Sequence, residues 1–373
     1  MDDYPNSQYE NTPHLPPSCS ACPPPAPSER SRKSGFLSCF LVFGGIVFFF
    51  AVLIAAAIGG LIFLFNLKGE PVESQLTING QRFDQVTLSG SGYSDNKILL
   101  IPVNGVIVGR VADSFGSSSY LSADHVCALL EEAMTNDNIR AVVLRIDSPG
   151  GEVVAADRIY RTVLAVREAG IPVVAQMESL AASGGYYIAA GCDYIIANPM
   201  TTTGSIGVIM SAVKYYDLMQ KIGVQTENYT SGKMKDMLSG SRPTSPEEKA
   251  LVQRHIDRVY EEFVRIVAEG RKELTVEGIK NGVIGDGRIF LGTQALELKL
   301  VDALGYNAEA EAKAAELAGI DHYQVISLRR GFSLKNLLFE VLSSTRQLDV
   351  RLPGDNSLSL EAGKLYFLPA FNQ

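Results

Sequence analysis

Hydrophobic and polar positions alternate in several distinct textures along this chain. Residues 1–34 carry few large apolar groups and hold eight of the seventeen prolines, Pro23-Pro24-Pro25 among them. A tract of that kind buries too little surface to offset its chain entropy, so it is expected to be a disordered tail. From Ser34 to Leu67 no residue is charged, and eight of the sixteen Phe fall within 36–65. About 20 apolar residues cross a bilayer core, so this stretch predicts one transmembrane helix within an anchor at 35–67. The polar, Gly/Ser-rich segment 68–96 predicts a short strand pair and a linker.

Regular αβ texture follows. Apolar, β-branched runs at 98–108, 141–146, 172–177, 194–197 and 206–210 predict buried strands, and 224–230 a further one. Helical patterns at 122–135, 152–168, 183–190 and 215–222 lie between them. Thr244-Ser245-Pro246-Glu247-Glu248 has the marks of a helix start, a hydroxyl cap with Pro and acids in the first turn, and predicts a helix to Glu269. Shorter helices are expected at 275–280, 292–298 and 308–318. The alternation favours an α/β domain over 97–330 with one face of each sheet covered by helices. Residues 331–373 are expected to add a C-terminal helix and a loose tail.

Charge narrows the partners. The net charge is −8, and the first 67 residues contribute −1 of it, four acids against three bases. The acidic remainder offers no basic footprint for nucleic acid. Arg30, Arg32 and Lys33 precede the apolar stretch and only Lys68 closely follows it, which orients the tail towards the cytoplasm and the αβ part outside. Cleavage as a signal peptide near Ala55-Ala56-Ala57 is the alternative. Of five cysteines only Cys127 and Cys192 lie beyond residue 67, which excludes a disulfide-dense scaffold, and Cys19/Cys22 form a lone C-x-x-C.

The four histidines, His14, His125, His255 and His322, form no recognisable constellation, and H-E-x-x-H is absent. Glycine clusters are more informative. Asp147-Ser148-Pro149-Gly150-Gly151 joins a strand to a helix, where backbone N–H groups can face an oxyanion or simply make a tight turn. Ser183 lies in Ala181-Ala182-Ser183-Gly184-Gly185-Tyr186-Tyr187, again between strand and helix, as an open nucleophile or as an N-cap. Tyr186 and Tyr187 could line a pocket or belong to the core. Thr203-Gly204-Ser205-Ile206-Gly207 and Ser231-Gly232-Lys233-Met234-Lys235-Asp236 complete the set. A lysine serves as a base only where its surroundings bring its pKa down from about 10.4 towards about 7–8.

These four ordered motifs resemble the signal peptide peptidase A family of membrane-anchored serine proteases, in its short form, over residues 98 to about 305. The resemblance implies a caseinolytic protease/crotonase-like fold of repeated ββα units and no cofactor. It implies Ser183 as nucleophile, Lys235 rather than Lys233 as general base, Ser205 as the group orienting the lysine, and Gly151 and Gly184 as oxyanion donors. It further implies cleaved signal peptides as substrates, a cell-membrane location, and a homo-oligomer in which Ser and Lys of one site can come from neighbouring subunits. A stomatin-associated membrane serine protease and an inactive, crotonase-like membrane-anchored scaffold are the competing readings.

Overall fold

The computed structural model describes residues 48–50, 52–56, 59, 74–78, 81–90, 94–110, 120–330 and 366–367. The Pro-rich tail, the Cys19/Cys22 pair, most of the 35–67 anchor and nearly all of 331–373 lie outside the described residues. The chain divides into two units, 1–69 and 70–373. In the first, residues 48–50, 52–56 and 59 are helical, and Phe48, Phe49, Phe50, Leu53 and Ile54 are exposed. Among the described residues no helix is long and apolar enough to cross a membrane.

The second unit contains, in chain order, β1 (Ser74–Ile78), β2 (Gln81–Gly90), β3 (Lys97–Asn104), β4 (Val106–Val108), β5 (Tyr120–Ser122), α1 (Ala123–Thr135), β6 (Ile139–Ser148), β7 (Gly151–Glu152), α2 (Val153–Glu168), β8 (Val173–Ala182), α3 (Gly184–Ala189), β9 (Tyr194–Ala197) and β10 (Thr202–Gly204). It continues through α4 (Tyr216–Lys221), α5 (Pro246–Gly270), α6 (Val276–Asn281), β11 (Ile289–Leu291), α7 (Gly292–Glu297), β12 (Ala303–Leu304), α8 (Asn307–Ala318), β13 (Gln324–Arg330) and β14 (Tyr366–Phe367).

The most apolar runs, β3, β6 and β8, lie side by side and parallel in the middle of a ten-stranded sheet ordered β1-β2-β13-β3-β6-β8-β10-β11. β8 forks: residues 174–177 pair with β9 and residues 180–182 with β10. A second sheet, β14-β7-β4-β5, stands beside it. The expected αβ alternation is present, but helices cover both faces of the main sheet, not one. On one face α1, α2, α3 and the C-terminal half of α5 pack on Leu99, Ile101, Val142 and Leu144. On the other, Ala310, Ala314 and Ala315 of α8 close over Ile98, Leu100, Ala141 and Val143. Strands apolar at successive positions leave no face that water can wet.

Three strand expectations are corrected. The 98–108 run is broken at Gly105, whose φ of +82° ends β3 and sends Val106–Val108 into the second sheet. In place of 206–210 the strand is β10 at Thr202–Gly204, because Ser205 at φ +53° turns the chain out of extended geometry. Residues 224–230 form no strand and are exposed throughout, with no strand edge among the described residues paired to them. The strand pair expected before residue 97 is present, and β2 is hydrogen-bonded to β13 as part of the main sheet instead of standing apart with a linker. Cys127 and Cys192 are buried and unpaired, and burial pushes both thiols up.

Candidate active site

β8 leads directly into Ser183. Along β6 and β8 the register runs Ile146↔Met177 and then Ser148↔Ala181, so β8 takes up two extra residues just before the serine. Asp147 fills the resulting break, accepting the Leu180 N–H at 3.0 Å. Ser183 itself sits at φ +55°, ψ −115°, a conformation that costs a non-glycine residue about 1–3 kcal/mol and persists only where neighbours over-determine it. Its N–H donates to Gly204 O at 2.8 Å, and its carbonyl accepts the Tyr187 N–H at 2.8 Å to open α3. The side chain is fully buried, and Oγ has no hydrogen-bond partner. A hydroxyl kept strained and unbonded at the end of a rigid strand is poised to bond to something else.

The helix behind it is anchored in the core. Tyr186 donates to Leu300 O at 2.8 Å and Tyr187 to Asp157 Oδ1 at 2.9 Å. Burial raises both phenols far above their ordinary range. These tyrosines are therefore structural props of the serine, not pocket walls.

The Asp147–Gly151 turn is fixed by Ser148, whose Oγ donates to Gly105 O at 2.6 Å and accepts the Gly150 N–H at 3.1 Å. Gly151 then passes so close to β4 that a Cβ there would lie 1.9 Å from Ile107 O, which leaves room only for glycine. The two glycine motifs meet: a Cβ on Gly185 would come within 3.0 Å of Ser148 O. The edge of β7 carries a strand of the chain itself, β14, paired antiparallel with Phe367 opposite Gly151 and Tyr366 opposite Glu152. An extended peptide thus fits at the Gly151 edge.

Ser205 joins this cluster through β10. Gly204 is opposite Ala182 in register, Thr203 Oγ1 donates to Ala181 O at 2.6 Å, and Ser205 N donates to Arg288 O at 2.8 Å. Ser183, Gly184 and Ser205 are thereby assembled by adjacent strands, and the Gly151 turn packs against them.

Lys235 makes no hydrogen bond to Ser183, whose Oγ is unbonded. It is exposed on the turn 231–239, while Ser183 is enclosed with Oγ unbonded. Lys233, its neighbour, is committed to a surface ion pair with Glu247 at 2.7 Å. The Lys235 turn is attached to the N-terminal end of α5, where Arg242 bridges Asp236 and Glu248. The C-terminal half of α5 packs on α3, with the Phe263 and Tyr187 rings 5.1 Å apart. Glu248 and Phe263 are separated by fifteen positions on one helix, about 22 Å at 1.5 Å per residue. The helix that follows Ser183 thus packs on the C-terminal half of α5, and the turn that carries Lys235 is tied to its N-terminal end.

Sequence reasoning missed Asp147 as the pin of the β8 break and Arg242 as the tie of the lysine turn. Both act through contacts across the fold, and only the neighbouring motif residues hinted at them.

A mixed α/β sheet that presents a strained serine at a strand-to-helix junction, flanked by glycine turns, defines a site of the Clp protease/crotonase type, and a Clp protease family model matches residues 115–203. The model of peptidase family S49 matches residues 165–321. "Putative protease MJ0651" of Methanocaldococcus jannaschii is 32% identical over 283 residues, 75% of this chain and 84% of that protein. "Putative signal peptide peptidase SppA" of Enterococcus faecium is 37% identical over 219 residues, 59% of this chain and 63% of that protein. A Synechocystis protease relative is 49% identical over 181 residues, and the match covers 64% of it, so this chain spans just under two thirds of both these last relatives. The chain belongs to peptidase family S49.

Proposed function

We propose that this chain is a membrane-anchored serine endopeptidase that cleaves signal-peptide remnants and similar hydrophobic peptides through Ser183 and Lys235. The observation that carries the reading is Ser183: buried, strained at φ +55°, its Oγ unbonded beside two glycine turns. In the reaction neutral Lys235 takes the Oγ proton as Oγ attacks the peptide carbonyl carbon. The Gly151 and Gly184 N–H groups hold the oxyanion, Ser205 orients the lysine, and the lysine ammonium returns the proton to the leaving amine. Water, deprotonated by the same lysine, then attacks the acyl carbon, and as the ester C–Oγ bond breaks the lysine ammonium returns that proton to Ser183 Oγ and the acid product leaves.

The lysine comes from a neighbouring copy in a ring. Two features support this: the position of the Lys235 turn at the far end of α5, and the exposed apolar groups Val213, Leu218, Ile222, Val224 and Tyr229 on the segment leading to it. The 36–65 stretch anchors each subunit, with the N-terminal tail in the cytoplasm and the peptidase domain outside. Hydrolysis of a signal-peptide substrate by the wild type, Ser183→Ala, Lys235→Ala and Lys233→Ala tests the assignment. The first and last should be active and the other two dead. Equal activity in all four would remove the dyad.

A further inference from the structure

The turn that carries Lys235 lies on an exposed segment, yet a general base acts only within hydrogen-bond reach of its proton, and about 1 Å of misplacement costs on the order of 100-fold in rate. Something must hold the turn. Resting on the Ser183–Lys235 reading, we propose that Arg242 is the positioning residue of the base, clamping the turn that bears Lys235 to the N-terminus of α5.

The guanidinium has a full set of partners. Nε and Nη2 donate to the two carboxylate oxygens of Asp236, the residue after Lys235, at 2.8 and 2.7 Å. Nη1 and Nη2 donate to Glu248 at 3.0 and 2.5 Å. Two more bonds reach the carbonyls of Asp236 and Pro243, at 3.3 and 3.0 Å. This planar fork meets both oxygens of each of two carboxylates, a bidentate geometry that an ammonium cannot reproduce.

The far side of the clamp is rigid. Glu248 is 1% exposed and forms a capping box with Ser245: its carboxylate accepts the Ser245 N–H at 2.7 Å, and its own N–H donates to Ser245 Oγ at 3.2 Å. Its helix is held at the other end by buried Phe263, Val264, Ile266 and Val267. Arg242 thus links α5 to a turn whose other ties, Lys214 Nζ to Ser239 O at 2.6 Å and the Tyr215 N–H to Gly240 O at 2.9 Å, run to an exposed segment. The Lys233–Glu247 pair runs alongside but is exposed on both sides and contributes little.

The experiment compares full-length wild type, Arg242→Gln, Arg242→Lys and Glu248→Gln in detergent, with Ser183→Ala and Lys235→Ala as references. It records kcat, KM, the pH–rate profile and amide hydrogen exchange. For Arg242→Gln we expect kcat to fall about 10- to 100-fold with KM within about 3-fold, as for a misplaced base. Exchange should quicken over 231–241 and stay unchanged over 184–190. Arg242→Lys, which keeps one charge-assisted bond, should recover part of kcat, and Glu248→Gln should fall between. Wild-type kcat with unchanged exchange over 231–241 in Arg242→Gln overturns the clamp. If Arg242→Gln does not fold, wild-type kcat in both Arg242→Lys and Glu248→Gln overturns it. Activity surviving in Ser183→Ala or Lys235→Ala would instead remove the underlying dyad, while the exchange data would still decide the clamp.

Discussion

Replacing Gly151 by alanine adds one methyl group at the point where β7 crosses β4. Its Cβ would lie 1.9 Å from Ile107 O and 2.6 Å from Ile107 C and N, all backbone atoms that cannot rotate away. Restoring the 3.0 Å that real Cβ atoms need requires β7 and β4 to separate by about 1.1 Å. Because the preceding turn is pinned by Ser148 to Gly105 O and the Gly150 N–H, the shift passes to the Gly151 N–H, not to the turn. An oxyanion donor moved by about 1 Å loses most of its transition-state bond, and loss of one such donor costs about 10²–10³ in kcat. Steady-state hydrolysis of a signal-peptide substrate should show that loss with KM within a few fold and Ser183 still buried and folded. A Gly151→Ala enzyme with wild-type kcat and an intact melting transition would refute the reasoning, because it would mean that β7 does not deliver the oxyanion donor.

Other consequences are equally direct. Ser183→Gly removes the proposed nucleophile and also the strain at φ +55°; about 1–3 kcal/mol relieved, less about 0.5–1 kcal/mol of glycine entropy, leaves about 1 kcal/mol in mid-range and should raise Tm by about 2–4 °C while activity vanishes, and calorimetry showing a lower Tm would contradict the strain. The Arg242 guanidinium, followed by the Ser245 N–H, holds the Glu248 carboxyl down to about 2, and Arg242 depresses Asp236 as well. A carboxyl depressed in the folded state contributes stability that is complete above its ordinary value near 4.5 and lost as pH falls towards about 2. Melting curves across that window should fall more steeply for the wild type than for Glu248→Gln, and parallel curves would count against the pair. Ser245→Ala, which removes the hydroxyl accepting the Glu248 N–H, should cost about 1 kcal/mol in chemical unfolding.

Much of the architecture is written locally. The unbroken apolar runs of β3, β6 and β8, the capping box at Ser245 and Glu248, and the short helices after it are set by neighbours within a few residues, and each is legible in order. So are the four motifs, three of which the fold assembles at Ser183. What sequence reading lost depends on distant partners. The strand expected at 206–210 shifts to Thr202–Gly204 because the peptide before Ser205 is pinned on both sides, Gly204 O accepting the Ser183 N–H and the Ser205 N–H donating to Arg288 O, with Ser205 at positive φ, a constraint no periodicity records. The pattern at 224–230 is strand-like, but β structure needs a second edge and none among the described residues pairs with this segment. By sequence Tyr186 and Tyr187 fit a pocket wall and the core alike, and their bonds to Leu300 O and Asp157 decide for the core. Arg242 and Asp147 belong to the same class, since a charged residue in a polar loop reads as solvated until the fold brings its counterpart.

The central claim is that one active site takes Ser183 from one copy and Lys235 from another. Its most direct measurement mixes two inactive enzymes. Equal amounts of Ser183→Ala and Lys235→Ala full-length protein, unfolded together or exchanged into common rings, place an intact serine beside an intact lysine at one site in four. Activity should therefore return to about one quarter of wild type, while each variant alone stays dead. Mixed rings that remain inactive would contradict the shared site and place both groups in one subunit.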